Sequence, residues 1–337
     1  MSGRYGSGVH WSQLKHQVET ALRGCGRLPA GVRCEGWLQR LGEGCNHKAF
    51  CYRVEAPDGA GGQAEQVYVV RMRGGRWTDD EPSPPVDDGG MIREMKVLRW
   101  LAQRRLPFET PRFICEIGED PLRPEGFIET AVSGAVPLEW LQKNPNQRDY
   151  LTQTTAALAG AIHALPTDGL DFLPRHPDSR SHVQALLGEF PEDFLAVDPA
   201  ARAAAEYIRA HVGPARPAVF LHGDLLAQNL LRDIATDALA VVDWEFASIG
   251  DPAHDLAIVT RGNSKLFGAV NGRRRLLTAY AAAGGTPLAA AAVICHELLM
   301  VIRWLWQALR DRQDHPAGSN PPEHYRDKIA AILRRAD

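Results

Sequence analysis

Apolar and polar positions alternate along the first third of the chain and recur at helical spacing along most of the rest. Phe50, Tyr52 and Val54 alternate with polar partners, and 66–72 (QVYVVRM) is rich in β-branched residues, so both stretches read as strands. Another strand at 35–41 precedes them. The Gly-containing connection 42–46 and the turn 57–62 join the three into antiparallel hairpins. Residues 113–117 and 126–130 read as two further strands. A helix is expected at 11–23, with Ser12 as its N-cap. A second is expected at 91–105, where Ile92, Met95, Leu98 and Leu101 recur among Arg93, Glu94, Lys96 and Arg99. The acidic, Pro/Gly-rich stretch 73–90 is expected to be a mobile loop.

Near position 131 the pattern changes. Helices are expected at 148–165, ended by Pro166, at 199–211, and near 251–260, 273–283, 288–312 and 322–335, while 168–199 reads as irregular with short helical pieces. Two short apolar runs, 218–221 and 238–242, are bounded by polar residues and read as buried strands. The expectation is an α+β protein divided into 1–130, a mostly antiparallel β lobe with one main helix, and 131–337, a mostly helical lobe. No internal repeat interrupts this division.

Composition changes the picture little. At 337 residues, 45% hydrophobic and 23% charged, the chain has the profile of a soluble globular enzyme. A net charge of -3 supplies no electrostatic footprint for nucleic acid or an anionic membrane, so neither partner is expected. The start, MSGRYGSGVHW, lacks the apolar core of a signal peptide, and a cytoplasmic location is expected. The most apolar long segment, 288–309, is broken by His296, Glu297 and Arg303, which favours a buried amphipathic helix over a membrane span. The six cysteines form no C-x-x-C pair, and His296-Glu297 is followed by Met300 where a metalloprotease helix needs a second His.

The chemistry-bearing stretch is 218–255. It holds His222, Asp224 and Asn229 as H-x-D-x-x-x-x-N, and a second aspartate, Asp243, after the next apolar run. Each lies where a strand ends and a rigid sheet can present side chains to a cleft. One aspartate can accept a hydroxyl proton, while Asn229 and Asp243 offer oxygen ligands suited to a hard cation. Gly42 and Gly44, between the first two strands, let backbone N–H groups approach an anion closely.

The motifs FLHGDLLAQNLL and VVDWEFASIGDPAHDLA, supported by LGEGCNHKAF, VVRMR and IREMKVL, resemble the aminoglycoside phosphotransferase and choline kinase-like family over roughly 38–260. That resemblance implies a bilobal protein-kinase-like fold and a small-molecule kinase using ATP or GTP with Mg2+. Asp224 is similar to the family's catalytic aspartate, and Asn229 and Asp243 to its Mg2+ ligands. His222 is expected to hold the loop rather than do chemistry, and Asp255 to anchor its backbone. Gly42, Gly44, Cys45 and Asn46 fall in the phosphate-covering connection, where Cys45 replaces a common serine. The strand-borne cation is Arg71 or Arg73 where protein kinases carry lysine; a guanidinium stays charged and binds phosphate bidentately. Glu94 is its expected helix partner. Glu129 to Ala131 resemble the hinge whose backbone receives adenine, with no side chain there diagnostic.

The motif reads His222-Gly223-Asp224, without the arginine that reads an activation-loop phosphate, and only 244–250 separates Asp243 from the next helix. A docked protein substrate is therefore unexpected. The expected partner is a small-molecule hydroxyl acceptor, with candidate contacts in 168–199 and among His296, Glu297, Arg303, Trp304 and Trp306. Acidic side chains would suit a cationic acceptor and aromatic ones an apolar acceptor; both kinds are present, and the sequence leaves the choice open. A nucleotide-binding module with little transfer is the rival reading, and a protein kinase a more distant one. Oligomeric state is not legible.

Overall fold

A computed structural model describes residues 9–29, 36–43, 47–57, 63–73, 89–120, 123–136, 141, 144–233, 238–263, 265–310 and 320–335. The chain divides into two compact units, one of 1–133 with 241–245 and one of 134–240 with 246–337.

The first unit is built on a five-stranded antiparallel sheet in the order β1-β2-β3-β5-β4. Its strands are β1 (Gly36–Glu43), β2 (His47–Pro57), β3 (Gln63–Arg73), β4 (Phe113–Ile117) and β5 (Gly126–Thr130). The alternation seen in sequence is used as expected. Tyr52, Val54, Val70 and Met72 are fully buried, while Glu55 and Glu65 face solvent. Helix α1 (Val9–Gly24) sends Leu14, Val18 and Leu22, one helical turn apart, into the same cluster. Ser12 lies inside α1 rather than at its cap, because the helix already runs from Val9. Helix α2 (Gly89–Leu101) buries Met91, Met95, Leu98 and, unusually, the carboxylate of Glu94. At Gly126 a Cβ would lie 2.3 Å from the Arg71 carbonyl oxygen, so only glycine lets β5 run this close to β3.

The second unit is mainly helical. It contains α3 (Arg148–His163), α4 (Ser179–Gly188), α5 (Glu192–Val197), α6 (Pro199–His211), α7 (Ala253–Thr260), α8 (Gly272–Ala282), α9 (Ala290–Arg310) and α10 (Pro322–Leu333). Two short antiparallel ribbons interrupt them. β6 (Val219–Leu221) pairs with β9 (Ser248–Gly250), and β7 (Leu230–Arg232) with β8 (Leu239–Val241). The sequence pattern missed β7 and β9, because three-residue strands are too short to show a period.

Helix α9 is long and apolar enough to cross a membrane by length and composition, yet 67% of its most apolar window is buried. Leu298, Ile302 and Leu305 pack with Ala204 and Ile208 of α6 and with Ile329 and Ile332 of α10. Its buried Glu297 is matched by Arg273 at 2.6 Å and by the Thr260 hydroxyl. Asp198 caps α6 through the N–H groups of Ala200 and Ala201 and also receives Arg326 of α10 at 2.8 Å. One carboxylate thus starts one helix and docks another.

A cluster of histidines surrounds the start of α7. His182 stacks on His176 at 4.2 Å and lies 5.2–5.3 Å from His254 and His296. Its Nδ1 accepts the Asp251 N–H at 2.9 Å, a role open only to the neutral ring. His296 and Arg216 meet the Asp251 carboxylate, at 3.2 and 3.1 Å. Burial, reinforced by the neighbouring histidines, pushes the His182 pKa down to about 2. The unfolded chain therefore binds a proton there near pH 6.5 that the folded chain refuses. Stability is full above that pH and falls as the pH drops below it, by about 2 kcal/mol at pH 5 from this ring alone. Urea unfolding followed between about pH 7.5 and pH 5 should show the decline, and His182→Gln should flatten it.

Candidate active site

In the second unit, β6 ends at Leu221 and the chain turns through His222-Gly223-Asp224. Both oxygens of Asp255, in the first turn of α7, accept the loop's backbone. The His222 N–H donates to Oδ2 and the Gly223 N–H to Oδ1, each at 2.8 Å. Gly223 sits at φ 82, and a Cβ there would lie 2.0 Å from the Phe246 carbonyl oxygen, so glycine is required on two counts. The Asp224 N–H then donates to Nδ1 of the buried His222 at 3.2 Å. Asn229 closes the turn, its Nδ2 donating to the Asp224 carbonyl and to Asp224 Oδ2, both at 2.9 Å. The base candidate is thus held from both sides while its side chain stays partly exposed.

Asp255 is itself supported from behind. His163 of α3 donates from Nε2 to Asp255 Oδ2 at 3.1 Å, and its Nδ1 meets the Tyr280 hydroxyl at 2.8 Å. Burial works to raise the Asp255 pKa, but the His163 hydrogen bond and the charges of nearby histidines outweigh it, holding the group at about 2. The carboxylate is ionised at neutral pH.

In the first unit, Arg71 of β3 is the centre. Its Nε donates to Glu129 Oε1 of β5 at 3.0 Å, while NH2 lies 3.6 Å from Glu94 Oε1 and NH1 4.0 Å from Asp243 Oδ1. Burial alone would lower its pKa, yet the Glu94, Glu129 and Asp243 carboxylates raise it far above the ordinary value. Glu94 also accepts the Trp244 N–H at 3.2 Å, and Arg93 donates to the Glu245 carbonyl at 3.0 Å. Trp244 is fully buried, stacks on Phe108 at 6.4 Å and donates from its indole to Thr110 at 2.9 Å. Between these fixed neighbours Asp243 is held at φ 72, a conformation that costs a non-glycine residue about 1–3 kcal/mol.

Of the expected site residues, Arg71, Glu94 and Asp243 come together in the first unit, and Asp224 and Asn229 in the second. Arg71, rather than Arg73, receives the helix glutamate. Gly42 lies on β1 opposite Ala49, just past an irregularity after Arg40; Gly44, Cys45 and Asn46 lie outside the described residues, as does most of the 73–90 loop. Ala131 donates its N–H to the Val67 carbonyl at 3.4 Å. Sequence reasoning gave the Glu129 side chain no role, whereas it is 1% exposed and ion-paired with Arg71. It also missed His163, whose only signal was a histidine within an apolar helical face (AGAIHAL).

Asn229 and Asp243 are hard oxygen donors. Since both Asn229 contacts use Nδ2, its Oδ1 accepts no hydrogen bond among the described residues and is oriented as a ligand oxygen. Each is an oxygen of the kind that fits Mg2+, which takes few protein oxygens and completes its shell from phosphate and water.

A cavity of about 730 Å³ adjoins the loop between Asp224 and Asn229 within the second unit, with Leu226, Ala227 and Gln228 in its wall. Among the expected acceptor contacts only Trp304 lines it. His296 and Glu297 are committed to Asp251 and Arg273, Arg303 pairs with Glu189, and Trp306 packs on Phe194 at 4.7 Å. The 168–199 stretch does not contribute to the cavity's lining.

The antiparallel sheet with a helical partner unit and the H-x-D-x4-N loop define the kinase-like phosphotransferase class. The chain belongs to the phosphotransferase enzyme family (APH), whose sequence model matches residues 58–294. Among solved structures, it is similar to a macrolide 2'-phosphotransferase type I (17% identity, TM-score 0.63, covering 99% of this chain and 98% of that one). It is also similar to the GDP and kanamycin complex of APH(2")-IIia (15% identity, TM-score 0.62, covering 94% and 97%). A third is a ternary complex of aminoglycoside phosphotransferase APH(4)-Ia with AMP-PNP and hygromycin B (16% identity, TM-score 0.62, covering 96% and 98%). No curated protein matches by sequence.

Removing the Asp255 carboxylate would strand two buried N–H groups and His163. Asp255→Ala should cost about 3–5 kcal/mol and speed hydrogen exchange at the His222 and Gly223 amides. Unchanged exchange would mean that the loop holds itself. For Arg71, a lysine cannot span Glu94 and Glu129 together and would leave a buried carboxylate uncompensated. Arg71→Lys should therefore destabilise by about 3 kcal/mol, with most of the loss recovered in Arg71→Lys/Glu129→Leu. A double-mutant cycle of unfolding free energies with simply additive losses would contradict this coupling.

Proposed function

We propose that the chain transfers the terminal phosphate of ATP or GTP to a hydroxyl group of a small molecule. The observation that carries this is the Asp224 carboxylate, partly exposed and fixed by Asn229 and His222 on a loop that also walls the adjoining cavity. An acceptor in that cavity would give its hydroxyl proton to Asp224 as its oxygen bonds to the transferred phosphorus. The bond from phosphorus to the bridging oxygen breaks, and the nucleoside diphosphate leaves. Phosphoryl transfer passes through a loose transition state, so positioning and charge neutralisation supply most of the acceleration. Asn229 Oδ1 and the Asp243 carboxylate are the oxygens that would hold Mg2+, which when bound supplies charge neutralisation to the phosphate oxygens. Arg71, kept cationic by its carboxylates, supplies a fixed positive charge for phosphate. Its planar fork can serve Glu94 and Glu129 through Nε and NH2 while NH1 is turned toward the Asp243 side.

Two of the solved structures it is similar to are complexes with GDP or AMP-PNP, which supports a nucleotide co-substrate for this chain. A panel of hydroxyl acceptors with Mg-ATP and Mg-GTP, read as diphosphate release, tests the reading. Asp224→Asn should lower turnover by ~10³-fold or more while nucleotide affinity, measured by thermal shift, stays near that of the unaltered chain. A variant retaining most of its rate would remove Asp224 from the role of base.

A further inference from the structure

The cavity beside the catalytic loop has a definite charge. Its wall contains Arg261, Lys328 and His324 and, among the described residues that line it, no aspartate or glutamate. Arg261 and Lys328 share one indole. The Arg261 guanidinium lies 5.1 Å from the Trp304 ring centroid and the Lys328 ammonium 5.0 Å from it. Tyr325 adds a second aromatic face, 6.2 Å from Trp304. Neither cation has a carboxylate within ion-pair distance among the described residues. Of the acidic groups nearby, Glu297 pairs with Arg273, and Glu323 and Asp198 with Arg326.

Two like charges over one ring cost free energy unless an anion joins them. Burial lowers the Lys328 pKa, Arg261 lowers it further, and only Glu297 acts the other way. The backbone carries a second, independent sign. Arg261 ends α7 in the left-handed region at φ 48, and Phe267 in the same wall sits at φ 50. Glycine is the usual residue where a helix ends this way, and an arginine or phenylalanine there costs about 1–2 kcal/mol. Residues kept in such conformations cluster at ligand clamps. The strain holds an arginine and a phenylalanine at the cavity where glycine would fit more cheaply.

Resting on the phosphotransfer reading, we infer that the acceptor is an anionic hydroxyl compound. Its carboxylate or phosphate group meets Arg261 and Lys328, and its flat or apolar body lies against Trp304 and Tyr325. Polycationic aminoglycosides are excluded from the cavity by the same charges. The hydroxyl to be phosphorylated points toward the Leu226–Gln228 side of the wall, the segment that lies between Asp224 and Asn229 in the chain.

Calorimetric titration of the full chain without nucleotide tests this. The carboxylate probe is 4-hydroxyphenylacetate, the phosphate probe is D-ribose 5-phosphate, and the cationic probes are kanamycin and choline. At least one anionic probe should bind, more weakly as salt rises, and Lys328→Glu should weaken it by about tenfold or more. Arg261→Gly relaxes a left-handed residue, so the fold is retained, and it should weaken the same probe. The arm that binds tells carboxylate from phosphate. The inference is overturned if neither anionic probe binds, if both variants leave its affinity unchanged, or if kanamycin or choline binds and Lys328→Glu tightens it. Diphosphate release is measured separately on the unaltered chain. An anionic probe bound in the cavity without turnover on any acceptor would keep the cavity as an anion site and sink phosphotransfer. Turnover of kanamycin would do the reverse.

Discussion

Everything that Asp224 can do depends on one buried carboxylate, that of Asp255. Three donors converge on it: the N–H groups of His222 and Gly223 and the Nε2–H of His163. An asparagine there would turn an N–H toward one of those donors, so charge as well as shape is required. A buried anion is costly by itself, and the cost is met by hydrogen bonds of the charge-assisted kind, which are about twice as strong as neutral ones. Its position in the first turn of α7 adds the favourable end of the helix dipole. With the turn held from below, Gly223 can take up φ 82 and Asp224 is delivered at the end of β6 without depending on its own packing.

The first unit solves a different electrostatic problem. Three carboxylates face one guanidinium, and the excess of negative charge keeps Arg71 protonated and fixed. Glu94 connects this cluster to backbone by accepting the Trp244 N–H, so the residue that orients Arg71 also holds the turn bearing Asp243. A lysine would offer charge without a fork and could not meet these carboxylates from separate nitrogens.

How much of this the sequence disclosed follows the range of the interactions. Asp224, Asn229 and Asp243 were legible because they lie in one stretch whose spacing reports the turn. The strands of the first unit were legible because Phe50, Tyr52 and Val54 alternate. Glu129 was not, since its partner is on another strand and only the β3–β5 register, Arg71 opposite Phe127, brings it within reach diagonally. His163 and Tyr280 are remote in sequence from Asp255, and neither has a motif. The cavity is the extreme case, because Gln228, Arg261, Trp304 and Lys328 come from four separate elements. The positive charge that Arg261 and Lys328 give it emerges only once these elements are brought together.

The strained residues separate what the backbone tolerates from what the side chains are kept for. Asp243, Arg261 and Phe267 all occupy positive φ, where glycine would be cheaper. Asp243 is pinned by its neighbours Trp244 and Glu245, and Arg261 by the bond from its own N–H to the Ala257 carbonyl at 2.7 Å. Such a position stays occupied by a larger residue only while the surrounding structure over-determines it, and the side chain is what the strain retains. At Asp243 that is a carboxylate suited to a hard cation; at Arg261 it is a cation suited to an anion. The proposed reaction and the inferred choice of acceptor would thus rest on the same device with opposite sign. A change of acceptor could be reached by altering Arg261 and Lys328 while the Asp255-held loop stays as it is.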